Sequence, residues 1–228
     1  MLIKDTITVV VMIFDDITQL DATAPLEVFA GAGFRVVTVA PQRGLVTAGS
    51  GLKIVPDHDF QNAPQADILL VPGGSGVNAL LNDAAAIDYI RRAAADAAYV
   101  TSVCTGSLLL GAAGLLKGKR ATTHWASHHF LESFGAVAVR QRVVIDGNVI
   151  TGGGVTAGVD FAFAVVDEVR GRDAAALTML ALEYDPAPPF EGGSPANTDP
   201  AIVSAYQGYA EAPLTERKTQ VSRAAAKL

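Results

Sequence analysis

Short blocks of unbroken apolar residues alternate along the chain with longer stretches of mixed character. Residues 7–14 (ITVVVMIF), 35–40 (RVVTVA), 67–72 (DILLVP) and 99–103 (YVTSV) are dominated by β-branched and aliphatic side chains. Continuous apolar runs of this length predict strands buried on both faces, as in a parallel sheet. Between them lie segments with helical character. Asp21-Ala22-Thr23-Ala24-Pro25 leads into a helix over 26–30 that ends near Gly31 and Gly33. Residues 84–98 are Ala-rich and predict a helix with Arg91 and Arg92 on its exposed side. Further helices are expected from Ser107 onward and over 125–134, 155–169, 173–183, 201–209 and 215–227, the last polar and exposed. Residues 45–60 predict short strands with Gly and Asp turns, and 137–144 and 148–151 flank a turn at Asp146-Gly147. The Pro- and Gly-rich stretch 186–195 predicts a loop or extended arm. Strands alternating with helices imply an α/β fold with a mostly parallel sheet covered on both faces. Loops at the carboxyl ends of its strands would build any site. No repeat and no linker divides the chain.

Composition narrows the class. The chain has 228 residues, 50% hydrophobic and 18% charged, enough for one domain with a full core. A net charge of -6 argues against nucleic acid, since phosphate binding needs clustered Lys and Arg. A single cysteine cannot form an internal disulfide. Residues 1–6 carry no basic region ahead of an apolar stretch, so no signal peptide is expected. The apolar runs are too short or too interrupted to span a membrane. These features together predict a soluble cytoplasmic protein.

The lone cysteine, Cys104, stands where a predicted strand passes into a predicted helix. That placement outlines a nucleophile elbow, in which the side chain leaves the sheet edge while helix-start N–H groups turn toward it. Those donors and the helix dipole favour the thiolate. A free cysteine is also a common small core residue. Asp21, after the first strand, and Gly73-Gly74-Ser75-Gly76, after the 67–72 strand, fall at the same sheet edge, where all three segments can meet. Two readings fit Asp21: a helix N-cap, or a carboxyl whose pKa is raised by burial beside a thiol and which donates a proton. The glycines serve a tight turn, or let backbone N–H groups reach a developing negative charge, or both. His124 and His128 have the i, i+4 spacing of a metal pair, but no third ligand is evident and no HExxH is present. His124 is also a candidate base for Cys104. His58 lies in an Asp-His-Asp turn and reads as exposed.

Three motifs, Gln19-Leu20-Asp21-Ala22-Thr23-Ala24-Pro25, Val71-Pro72-Gly73-Gly74-Ser75-Gly76 and Thr101-Ser102-Val103-Cys104-Thr105-Gly106-Ser107, resemble the ThiJ/PfpI superfamily. Longer stretches, 110–125, 151–161 and 182–190, narrow the resemblance to its isocyanide (isonitrile) hydratases and extend it over nearly the whole chain. The resemblance implies a flavodoxin-like three-layer sandwich, with 1–228 as a single ThiJ/PfpI-like domain and a C-terminal extension from about 185. It implies a homodimer with no metal or organic cofactor. It implies Cys104 as nucleophile and Asp21 as its partner carboxyl, with Thr105 helping to shape the site and Gly74 and Gly154 nearby in Gly-rich segments. The implied reaction is hydration of an isocyanide to an N-substituted formamide through a thioimidate on Cys104. Ala24 departs from the related motif, which more often reads Thr-Gly-Pro, and adds a methyl group near the site. Other superfamily chemistries compete, namely peptidase, glyoxalase-like hydratase and deglycase. Thr105 stands where the peptidases typically carry His. A non-enzymatic sensor or a redox-sensing thiol is a further alternative. The tail after Glu183 is too short for the helix-turn-helix pair of related regulators, and Arg217, Lys218, Arg223 and Lys227 are expected on a solvated helix face.

Overall fold

The computed structural model describes residues 6–228. The stretch read for a signal peptide therefore lies, except for Thr6, outside the described residues. In chain order the elements are β1 (Thr8–Met12), α1 (Gln19–Gly31), β2 (Arg35–Ala40), β3 (Val46–Thr47), β4 (Lys53–Ile54), β5 (His58–Asp59), β6 (Ile68–Val71), α2 (Val77–Leu80), α3 (Ala84–Asp96), β7 (Tyr99–Val103) and α4 (Gly106–Ala112). They continue with β8 (Arg120–Ala121), a 3₁₀ helix (Trp125–Phe134), β9 (Val137–Ala138), β10 (Val143–Asp146), β11 (Val149–Gly152), α5 (Ala157–Arg170), α6 (Arg172–Ala181) and α7 (Pro200–Ala225).

The central sheet runs β10-β11-β7-β6-β1-β2-β5. Every pairing is parallel except β10 with β11, joined by the Asp146-Gly147 turn. The continuous apolar runs are the central strands: β1 and β6 are buried at every position. With no polar alternation, each strand must be covered on both faces. Helices α1, α5 and α6 pack together in one layer, and α2, α3, α4, the 3₁₀ helix and α7 in the other. This is the flavodoxin-like three-layer arrangement. Short β3 and β4 form a separate hairpin. From β1 the chain first moves outward to β2 and β5, then returns to β6 on the other side. The strand order therefore reverses between β1 and β6, the place where such sheets open a crevice.

Three sequence expectations need correction. First, helix α1 begins at Gln19, with Thr18 as its N-cap, so Asp21 lies inside the first turn and is not a cap. Pro25 sits within the helix, where it has no N–H to donate to the Asp21 carbonyl one turn back. Second, the expected helices over 201–209 and 215–227 are one continuous α7 with Pro213 in its interior. A proline there removes one backbone bond. Docking compensates: Asn78 Nδ2 donates to the Pro213 carbonyl (3.2 Å) and Asn82 Nδ2 to that of Gln220 (3.0 Å). Third, Arg217 leaves the solvated face of α7, on which Lys218, Arg223 and Lys227 are exposed as expected. Arg217, Val221 and Ala224 are buried at helical spacing, and Arg217 is only 8% exposed. Among the described residues no helix is long and apolar enough to cross a membrane.

Candidate active site

Cys104 leaves the end of β7 with φ at 56°, the left-handed region that a side chain with a Cβ rarely occupies. Local bonds hold it there. Its N–H donates to the carbonyls of Gly152 (3.1 Å) and Gly153 (2.9 Å). Its carbonyl accepts from Thr123 Oγ1 (2.8 Å) and Ser107 Oγ (3.3 Å). This is the elbow, and it aims the thiol at the reversal point while leaving it 5% exposed. The close approach of α4 to β6 requires glycine at 106, where a Cβ would sit 1.9 Å from the Val71 carbonyl oxygen.

Asp21 is fully buried and faces the thiol from α1. Its Oδ2 accepts from the Gly73 N–H at 3.0 Å, while Oδ1 is buried with no hydrogen-bond partner among the described residues. Burial pushes the carboxyl up to about 7, against the Gly73 N–H and the Cys104 side chain, which favour its charged form. Burial, with the nearby Asp21 charge, pushes the thiol up to about 12. The backbone N–H groups of Val155 and Thr105 point at the sulfur and oppose this rise without overcoming it. The backbone donors favour the thiolate as expected, but water exclusion outweighs them and favours the neutral thiol beside an ionisable carboxyl.

Thr105 and both predicted glycines surround this pair. Thr105 Oγ1 accepts from the Gly74 N–H (3.0 Å) and donates to the Gly74 carbonyl (3.3 Å), tying the two strand-end loops together. Gly74 thus spends its N–H on Thr105, and it is Gly73 that reaches the carboxyl. A Cβ on Gly73 would lie 2.5 Å from Thr105 N and 3.0 Å from Asp21 Oδ2. On Gly154 a Cβ would lie 2.6 Å from His124 Cδ2, so this glycine lets the imidazole close on the elbow.

His124 caps the 3₁₀ helix: its Nδ1 accepts from the Ala126 N–H at 3.3 Å, which leaves the proton on Nε2. Burial and the Arg217 charge pull its pKa down to about 4. It is a neutral wall of the site and a poor match for a base acting on a thiol near 12. No cluster of three or more His, Cys, Asp or Glu suited to a metal occurs among the described residues.

Sequence reasoning missed three contributors. Val155 supplies a backbone N–H that no side-chain pattern marks, although the Gly152-Gly153-Gly154 run before it signals a close backbone approach. Tyr206, from α7, packs near His124 (ring centroids 6.3 Å apart) and Trp125 (5.0 Å). Arg217 donates from Nε to Asn78 Oδ1 (2.9 Å) and from NH1 to Ser127 Oγ (2.8 Å). A buried thiol and carboxyl with one exchangeable proton between them suit covalent chemistry with proton transfer at the attacked atom.

The sequence profile of the DJ-1/PfpI family matches residues 7–168. The isonitrile hydratase of Pseudomonas putida is 49% identical over 218 residues, 95% of this chain and 96% of that protein. The HTH-type transcriptional regulator GbdR of Pseudomonas aeruginosa is 32% identical over 142 residues, 61% of this chain but 38% of the regulator. Among solved structures, a ThiJ/PfpI family protein from Pseudomonas syringae superposes with a TM-score of 0.91 at 37% identity, covering 98% of this chain and 92% of that one. On the family profile and the near full-length relative together, the chain belongs to the DJ-1/PfpI family.

Proposed function

We propose that this protein hydrates isocyanides to N-substituted formamides, with Cys104 as nucleophile and Asp21 as acid and base. One observation carries the reading: a buried carboxyl with a pKa near 7 faces a buried thiol on an elbow. The near full-length likeness to an isonitrile hydratase supports the same reaction.

An isocyanide, R–N≡C, needs a nucleophile and a proton at the same carbon. The Asp21 carboxylate takes the Cys104 proton as sulfur attacks, then delivers it to that carbon. The product is a thioimidate, Cys–S–CH=N–R, with Asp21 again a carboxylate. Water then adds: Asp21 takes its proton and passes it to nitrogen as hydroxide bonds to carbon. When the tetrahedral adduct collapses, Asp21 takes the hydroxyl proton, the C–S bond breaks, and the formamide leaves. The departing thiolate recovers the proton from Asp21. The Val155 and Thr105 N–H groups face the sulfur while it is charged. A carboxyl near 7 suits a group that alternates between acid and base. A thiol pushed up to about 12 counts against a redox-sensing role, because oxidation follows thiolate character and exposure.

The chain acts as one domain, 1–228, with the segment from about 185 as an extension over the site. The working enzyme is a homodimer, in keeping with the exposed Leu177 and Leu180 of α6 and with Phe190. It belongs in the cytoplasm, where a catalytic thiol stays reduced. Purified protein and its Cys104→Ala variant, each given p-nitrophenyl isocyanide, test the reaction. Formamide from the first and none from the second is expected, and equal rates would remove Cys104 from the chemistry.

A further inference from the structure

Val155, whose N–H faces the Cys104 sulfur, stands at φ 25°. A β-branched side chain rarely takes a positive φ, so this turn is strained. The same turn meets the nucleophile a second time, because the Gly152 and Gly153 carbonyls accept the Cys104 N–H. Backbone strain of this kind persists only where the surroundings fix it. Something must therefore hold residues 152–156 in place.

The holder is a polar cluster on the outer side of the turn. Arg142, just before β10, grips it on both sides of Val155. Its carbonyl accepts from the Gly153 N–H at 2.9 Å, and its NH2 donates to Thr156 Oγ1 at 3.4 Å. Thr156 is the N-cap of α5 but makes no side-chain capping bond, so its hydroxyl is available to accept. The Arg142 Nε bonds Asp160 Oδ2, in the first turn of α5. Asp160 Oδ1 accepts from the Tyr184 hydroxyl at 2.6 Å, and the Tyr184 ring packs on Phe163 of α5 with centroids 5.1 Å apart. Both carboxylate oxygens of Asp160 are thus committed, one to each donor. Arg142 is exposed, and a solvent-facing ion pair adds little to stability. What this cluster supplies is geometry.

We propose that Arg142, Asp160 and Tyr184 are positioning residues that clamp the strained turn and keep the Val155 N–H on the Cys104 sulfur. None of the three touches the thiol, and each acts through the turn. The clamp concerns any chemistry in which this sulfur carries charge, while its effect on isocyanide turnover rests on the reading above.

Alkylation of the lone cysteine by iodoacetamide, followed from pH 7 to pH 10, tests the clamp. Asp160→Asn keeps the side-chain size but leaves one oxygen for two donors. Its thiol should react roughly threefold to tenfold more slowly across the range, since a lost bond to the thiolate cuts its population and greater basicity returns part of that as nucleophilicity. A merely structural role predicts the opposite, because a loosened turn exposes the thiol and speeds alkylation. Removing the Asp160 charge would by itself also favour the thiolate, so a fall isolates the lost donor. The other charged or ionisable groups that bear on the sulfur, Asp21 from α1 and Tyr206 and Arg217 from α7, are unchanged. Tyr184→Phe should slow alkylation less, and the double variant no more than Asp160→Asn alone, since the hydroxyl acts through that carboxylate. If Asp160→Asn does not fold, Tyr184→Phe decides by the same criterion. Unchanged or faster alkylation, losses that simply add in the double variant, or a native thiol left unmodified at every pH would each overturn the clamp. Turnover of p-nitrophenyl isocyanide by the same proteins is read separately, and kcat should fall with KM unchanged. No turnover by native protein with the alkylation effect intact would defeat the isocyanide reading and uphold the clamp. Native turnover with unaffected alkylation would do the reverse.

Discussion

The Asp21 carboxyl and the Cys104 thiol face each other across the point where the strand order reverses, and burial drives both toward their neutral forms. Neither group is activated at rest. The pair works by moving one proton between them and the substrate carbon. The predictions below follow from that relationship and from the walls that hold it.

Replacing Asp21 by Asn removes the proton carrier but keeps an acceptor for the Gly73 N–H. Turnover should fall about 10²–10⁴-fold, the usual contribution of a positioned acid or base. Steady-state rates, with circular dichroism to confirm the fold, measure this. A fall of less than tenfold would assign the proton transfers elsewhere.

The same variant should be more stable than the native protein above neutrality. A carboxyl raised from 3.8 to about 7 in the folded state holds its proton more tightly folded than unfolded. Its contribution to stability is complete below pH 3.8 and is lost as pH rises through about 7. The upper bound on that loss is on the order of 4 kcal/mol. Urea unfolding of both proteins at pH 5 and pH 8 should show native stability falling relative to Asp21→Asn, while a constant difference would contradict the raised carboxyl.

The pH profile of kcat/KM should rise along an acid limb centred near 7. Below that pH both groups of the pair are protonated and no base takes the thiol proton. The alkaline fall belongs far higher, toward the thiol near 12. An acid limb near 4 would point to an unperturbed carboxylate or to His124 instead.

Gly73→Ala should damage site and fold together, since its Cβ would lie 2.5 Å from the Thr105 backbone nitrogen. Overpacking of this kind costs about 1–3 kcal/mol. Thermal unfolding and kcat should both fall, and a variant of native stability and rate would show that the loops give way freely.

Arg217→Met leaves Asn78 Oδ1 and Ser127 Oγ without their donor and loosens α7 from the 3₁₀ helix. Unsatisfied buried acceptors cost about 1–3 kcal/mol each. Unfolding of the variant should be easier by at least the lower figure, with Arg217→Lys intermediate. No change would mean that Val221, Ala224 and the Asn78 and Asn82 bonds to its carbonyls dock the helix without Arg217.

Much of this was legible in the chain. The β1, β6 and β7 runs declare themselves because a strand covered on both faces needs no polar alternation, and Cys104 at a strand-to-helix change marks the elbow. What was hidden depends on tertiary contact. Pro213 suggests a helix break, and the continuous α7 is held by partners far away in sequence, Asn78 and Asn82 at its carbonyls and Asn78 and Ser127 at Arg217. Arg217 looks like any surface cation until Asn78 and Ser127 are placed beside it. Asp21 suits a cap by residue type, but Thr18 occupies that position. The sign of the Cys104 shift turns on water exclusion, which local sequence does not encode.

The covalent step itself can be weighed. Intact-mass spectrometry of Asp21→Asn protein, mixed with p-nitrophenyl isocyanide and quenched rapidly, should show an adduct of one substrate mass on Cys104, formed slowly and persisting without the carboxylate to hydrolyse it. Native protein should show the adduct only transiently while formamide accumulates. Formamide production by native protein with no Cys104 adduct in either sample at any time would contradict covalent catalysis at this thiol.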